Sequence, residues 1–176
     1  VQRLTKMLVD GIHEFQIKSV QIDLHGGEPT LQKKSAFDQM CQYFRDHLDP
    51  LTELTLALQT NATLIDDEWI NLFSKHKVFI GISIDGPRTI NDRFRVDHKG
   101  RGTYDQTVFG LRKLQDAAQE KRIEGVAALC VINPKNNAFE LYRHLVHELN
   151  IQQLDFLLPD YTHHNFTNEN PIEYGE

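Results

Sequence analysis

Polar residues recur wherever an apolar, strand-like run of this 176-residue chain comes to an end. The segment "IDLHGGEPTL" (22–31) runs into Gly26, Gly27, Glu28 and Pro29. A glycine pair lets backbone carbonyls approach a ligand with no side chain in the way. Glu28 adds an anionic acceptor, and Pro29 fixes the turn. Acceptors of this kind suit an ammonium group. A second run ends in Gln59-Thr60-Asn61, whose amides can both donate to and accept from hydroxyl groups. A third ends in Ser83-Ile84-Asp85-Gly86-Pro87, with Arg93 and Arg95 just beyond. Asp85 either steadies the Ser83 turn or meets a ligand. A fourth ends in Cys130-Val131-Ile132-Asn133-Pro134, and a fifth in Pro159-Asp160.

The elements that must position these residues alternate along the chain. Apolar residues at helical spacing (Leu4, Met7, Leu8, Ile12, Phe15) predict a helix over 1–15. Helical periods return in "KKSAFDQMCQYFRDHL", "DDEWINLFSKH", "TYDQTVFGLRKLQDAAQEK" and "AFELYRHLVHEL", with Asp66 as an N-cap. Strands are predicted near 19–24, 53–60, 78–84, 125–132 and 153–158. Strict alternation implies an α/β fold with a parallel sheet, either doubly wound or part of a (β/α) barrel. In both, binding groups gather at the C-terminal ends of the strands. Glu28, Gln59, Asn61, Ser83 and Arg95 are therefore expected on one rim, bordering a shared cleft.

Composition narrows the class. Apolar residues make up 40% and charged residues 25%, as in ordinary globular domains. A formal net charge of −6 argues against a nucleic-acid-binding surface, and no segment is long and apolar enough to span a membrane. Two cysteines far apart, Cys41 and Cys130, argue against a disulfide scaffold and fit a reducing cytoplasm.

Four blocks, "HGGEPTL", "LQTNATLIDDEWINLF", "IGISIDGPRTINDRFR" and "GRGTYDQTVFGLRKL", stand in an order and spacing that resemble the radical S-adenosylmethionine superfamily. The resemblance is to its peptide- and protein-modifying SPASM branch, which includes anaerobic sulfatase-maturating enzymes. "LDFLLPDYTHHN" and a later "YGE" are similar to maturases that crosslink ribosomally made peptides, including cyclophane formers. The resemblance implies a partial, TIM-like (β/α) barrel of parallel strands, incomplete at both ends. Residues 1–160 would be its central part, and 161–176 a loop or tail. It implies S-adenosylmethionine and a [4Fe-4S] cluster as cofactors, and a peptide or protein substrate. An electron donor such as flavodoxin or ferredoxin is implied too, whereas nucleic acid and membrane are not.

Carried over residue by residue, Gly26, Gly27 and Glu28 would receive the ligand ammonium. Ser83 and Arg95 would take its carboxylate, with Arg93 as the competing arginine. Gln59 and Asn61 suit the ribose, and the backbone near Leu129 suits the adenine. The reaction implied is hydrogen abstraction by a 5′-deoxyadenosyl radical. The expected outcome is a crosslink in the peptide, with formylglycine formation or a cluster-free binding module as alternatives.

The chain departs from the family in one main respect: the C-x-x-x-C-x-x-C loop that holds the cluster is absent from it. Cys41 and Cys130 read as core residues, and neither is assigned as a metal ligand. The simplest expectation is a fragment of a longer enzyme, inactive alone. Asn91 stands where the family often has histidine. His163 and His164 are expected to face solvent, His25 to pack or touch a ligand, and Trp69 to be core.

Overall fold

The computed structural model describes residues 1–159. Helix α1 (Gln2–Phe15) leads into β1 (Ser19–Leu24) and a single 3-10 turn at Pro29–Leu31. Then follow α2 (Lys34–Leu48), β2 (Glu53–Thr60), α3 (Asp67–His76), β3 (Val78–Ser83) and a short α4 (Arg88–Asn91). The last elements are α5 (Tyr104–Gln119), β4 (Val126–Val131), α6 (Ala138–Tyr142) and β5 (Gln153–Leu157). A π-helical turn at Arg143–Glu148 continues α6. The expected loop at 161–176, with His163 and His164, lies outside the described residues.

The five strands pair in sequence order, β1-β2-β3-β4-β5, and every pairing is parallel. Right-handed crossovers between strands in sequential order all fall on one face of the sheet. That is the wall of a (β/α) barrel. A doubly wound sheet reverses its strand order instead.

The side-chain pattern follows from this layering. In β2, Leu54, Leu56, Leu58 and Thr60 are buried beneath the helices, while Thr55, Ala57 and Gln59 look onto the open face. In β3, Val78, Ile80 and Ile82 are buried in the same way, leaving Phe79, Gly81 and Ser83 on the open face. The helix side holds the core. Trp69 packs edge-on to Phe37 at 5.1 Å and stacks with Phe73, as the sequence predicts. Asp66 caps α3, its carboxylate accepting from the Trp69 N–H at 2.9 Å. Asp66→Ala should cost about 1 kcal/mol in urea denaturation. An unchanged midpoint would show that the Lys34 ion pair to Glu68 suffices at that helix end.

Helix α1 forms where predicted, but half of its apolar stripe is not in the core. Thr5 and Ile12 are buried, and Leu8 and Val9 pack partly against the core. Leu4, Met7 and Phe15 are 43%, 61% and 70% exposed. The helix packs against α2 at the β1 edge of the sheet, where only one side of the stripe meets a neighbour. Among the described residues no helix is long and apolar enough to cross a membrane.

Candidate functional site

The rim is built strand by strand. After β1 the chain turns at Gly26 (φ 100°) and Gly27 (φ 56°), left-handed conformations that favour glycine. The turn delivers Glu28 as the N-cap of the Pro29–Leu31 turn. One Glu28 oxygen, Oε1, accepts from the Thr30 N–H at 3.0 Å, the Thr30 hydroxyl at 2.6 Å and the Thr60 hydroxyl at 2.6 Å. The other, Oε2, accepts from the Asn61 N–H at 2.7 Å. A carboxylate has about four acceptor sites. Three donors crowd Oε1 while Oε2 takes one and keeps a second site open, and together they tie the end of β1 to the end of β2. The glycine backbone and the open Oε2 site are the acceptors this turn leaves for a ligand.

Asn61 has a similar local role. Its side-chain oxygen accepts from the Thr63 N–H (3.0 Å) and hydroxyl (2.8 Å), making an Asx turn. Its backbone carbonyl accepts from the Thr107 hydroxyl on α5 at 2.9 Å. Ala62 beside it has φ 59°, and Gly110 of α5 packs so closely that a Cβ there would strike the Ala62 carbonyl.

Gln59 faces the open side of the sheet. Its Nε2 donates to Ser83 Oγ at 2.9 Å across the β2–β3 pair. Beyond Ser83, Asp85 is 7% exposed and grips Arg95 with both oxygens, Nε to Oδ2 at 2.6 Å and Nη2 to Oδ1 at 2.9 Å. Oδ1 also accepts from the Val131 N–H at the end of β4, at 3.0 Å. The Asp85 N–H in turn donates to the side-chain oxygen of Asn91, a fully buried residue, at 3.2 Å. Asp85 thus steadies the turn and orients Arg95. Only one edge of the guanidinium is used, so Nη1 and the second Nη2 hydrogen remain to meet an anion.

The expected residues stand at the same ends of neighbouring parallel strands, and two adjoining clefts open there. Gln59 and Leu129 line a cleft of about 310 Å³ on the open sheet face, with Asp23, His25, Phe79 and Gly81. Asp85 and Arg95 line a second, of about 620 Å³, with Ile90, Phe94, Val131 and Asn133. The two adjoin along β4, where Leu129 and Val131 are two residues apart. Glu28 and Asn61 tie the ends of β1, β2 and α5 together.

Sequence reasoning missed Gly81, Thr60 and the buried role of Asn91. Gly81 left a readable signal, since glycine inside a strand often marks a close approach. Asn91 stood out only as a departure from the family's histidine, and Thr60 left no signal, because a buried hydrogen-bonding role is invisible in a polar residue's identity.

Cys41 (α2) and Cys130 (β4) are fully buried, and burial pushes each thiol up to about 12. Among the described residues no three His, Cys, Asp or Glu side chains cluster to hold a metal ion.

Comparison with known proteins accords with this architecture. The family model "Radical SAM superfamily" matches residues 2–145, and the chain belongs to that superfamily. It is 30% identical over 121 residues to a cysteine-type anaerobic sulfatase-maturating enzyme of Clostridium perfringens, covering 68% of this chain and 31% of the relative. It is 26% identical over 138 residues to a serine-type enzyme of Bacteroides thetaiotaomicron, covering 78% and 32%. The chain thus spans about a third of the length of the curated relatives it matches. Among solved structures it superposes on anSMEcpe with bound AdoMet and Cp18Cys peptide at a TM-score of 0.68. That match has 27% identity and covers 78% of this chain and 37% of the other.

The family implies S-adenosylmethionine and a [4Fe-4S] cluster. The rim fits the amino-acid end of the first, with glycine carbonyls for an ammonium and the Ser83 hydroxyl and free Arg95 edge for a carboxylate. The cluster does not fit the residues present, because both thiols are sealed in the core.

Proposed function

We propose that this chain is the S-adenosylmethionine-binding portion of a radical SAM enzyme that modifies a peptide or protein substrate. The observation that supports it best is the pair of pre-oriented groups at adjacent strand ends, Gln59–Ser83 and Asp85–Arg95. Bound S-adenosylmethionine supplies, on reductive cleavage, the 5′-deoxyadenosyl group that removes a substrate hydrogen. This chain's own residues bind and orient it. Gly26 and Gly27 offer carbonyls to the ammonium, Ser83 and Arg95 donate to the carboxylate, and Gln59 and Leu129 line the cleft for the nucleoside. Glu28, Asn61 and Asp85 act through the backbone and side chains they hold.

The finer reading is crosslink formation in a ribosomally made peptide, cyclophane-type. It rests on residues 154–165 and 174–176, most of them outside the described residues. Formylglycine formation is a second reading, favoured by the names of the relatives and by the peptide held in a solved one. Either would act with an external electron donor of the flavodoxin or ferredoxin kind. In the longer protein that carries these residues, an aldehyde trapped by a hydrazide on a sulfatase peptide would establish formylglycine. A crosslinked precursor peptide with no aldehyde would establish the other.

Binding is testable on this chain directly. Titration with S-adenosylmethionine should move the amide resonances of Gly26, Gly27 and Ser83 together. Arg95→Ala should weaken binding by about tenfold to a hundredfold, as expected for one charge-assisted contact. Saturable binding that ignores Arg95 would place the ligand elsewhere and overturn the assignment.

A further inference from the structure

Gly81 sits at the middle of β3, directly paired with Gln59 of β2 in the parallel register. A Cβ built there would collide with the Gln59 side-chain oxygen, with the rest of its carboxamide close behind. Gln59 therefore reaches Ser83 by lying flat across the bare backbone of Gly81. The three atoms nearest a Cβ there all belong to Gln59.

We propose that Gly81 is a positioning residue for the cofactor site, acting through Gln59 on Ser83. The proposal rests on the S-adenosylmethionine reading above and adds to it the residue that sets the polarity of Ser83. A serine hydroxyl has one hydrogen to donate and two lone pairs. The Gln59 Nε2–H occupies one lone pair, so the hydroxyl hydrogen is directed away from Gln59 and toward the rim. Ser83 is thereby presented as a donor, which a ligand carboxylate requires. The Gln59 oxygen, held over Gly81, is left as an acceptor facing the same cleft. With any larger residue at 81 the carboxamide must swing off the strand, and Ser83 loses the partner that fixes its hydrogen.

The obstacle is the far end of a flexible side chain, so Gly81→Ala should fold. The test compares wild-type, Gly81→Ala, Gln59→Ala and the double variant by NMR titration with S-adenosylmethionine, alongside thermal melts. Gly81→Ala and Gln59→Ala should each weaken binding by about tenfold, and the double variant no more than either alone. A glycine needed only for strand packing would instead lower the melting temperature and add its loss to that of Gln59→Ala. Either that additivity, or wild-type affinity in Gly81→Ala where Gln59→Ala is weakened, overturns the proposal. If the wild-type chain binds no S-adenosylmethionine, the functional reading fails on its own. The Gln59 side-chain NH₂ resonances then decide the positioning claim. They must shift in Gly81→Ala, and unchanged resonances refute it.

Discussion

Glu28→Gln is expected to destabilise the chain by about 2–4 kcal/mol and to loosen the cofactor rim at the same time. The carboxylate receives four donors from three residues, and two of those residues stand on a different strand end. An amide keeps one oxygen for the cluster at Thr30 and Thr60. Its NH₂ group must then face the Asn61 N–H, donor against donor. Turning the amide over moves the conflict to three donors instead of one.

The Thr60 hydroxyl also accepts from the Ala62 N–H at 3.0 Å, and the Asn61 carbonyl receives Thr107 of α5. The disturbance therefore spreads from the β1 turn through the β2 tail to α5. Urea denaturation measures the stability term. Hydrogen exchange at the Asn61 amide measures the local one and should lose most of its protection. A midpoint within about 0.5 kcal/mol of wild-type, with Asn61 still protected, would mean that the carboxylate is not the tie between the strands.

The strands were the most legible part of this protein, for a physical reason. Those buried beneath the helices, β2 and β3 above all, must carry apolar residues at every second position. Glycine, proline or amides interrupt the pattern where the chain leaves the sheet. The rim was legible on the same grounds, because the C-terminal ends of parallel strands are where polar groups collect.

What the sequence could not show is which polar residue faces a ligand and which faces its neighbour. Glu28 and Asn61 read as ligand contacts in the sequence, and the structure adds that both also hold the turns they stand on. Asp85 was open between two roles, and its grip on Arg95 and Val131 gives it the supporting one. Short α4 and the Val96–Gly102 bridge that follows it went unpredicted, being too brief to show a period. The stripe on α1 was read correctly as helical, and the structure leaves Leu4, Met7 and Phe15 of it exposed. Periodicity reports an apolar face and says nothing of how much of it a neighbour covers.

Anaerobic treatment of this 176-residue chain with iron and sulfide should yield no stoichiometric [4Fe-4S] cluster, and no 5′-deoxyadenosine should follow on adding S-adenosylmethionine and a reductant. Such a cluster needs at least three thiolates around one iron–sulfur core. The chain has two thiols, one on the helix layer in α2 and one in the sheet at β4, both with no exposed surface. At about 12 rather than the ordinary 9.0, each presents roughly a thousandth of the thiolate of an open cysteine at neutral pH.

The same fact gives an independent readout. Alkylation by iodoacetamide at mildly alkaline pH should be negligible in the folded chain and complete in urea. Both sites should become reactive in a single step if the core opens as one unit. A brown, cluster-loaded folded chain, or a cysteine labelled rapidly without denaturant, would show that at least one thiol reaches the surface. The core placement of Cys41 or Cys130 would then be wrong, and with it the separation between a cofactor-orienting rim on this chain and an iron–sulfur cluster that two buried thiols cannot hold.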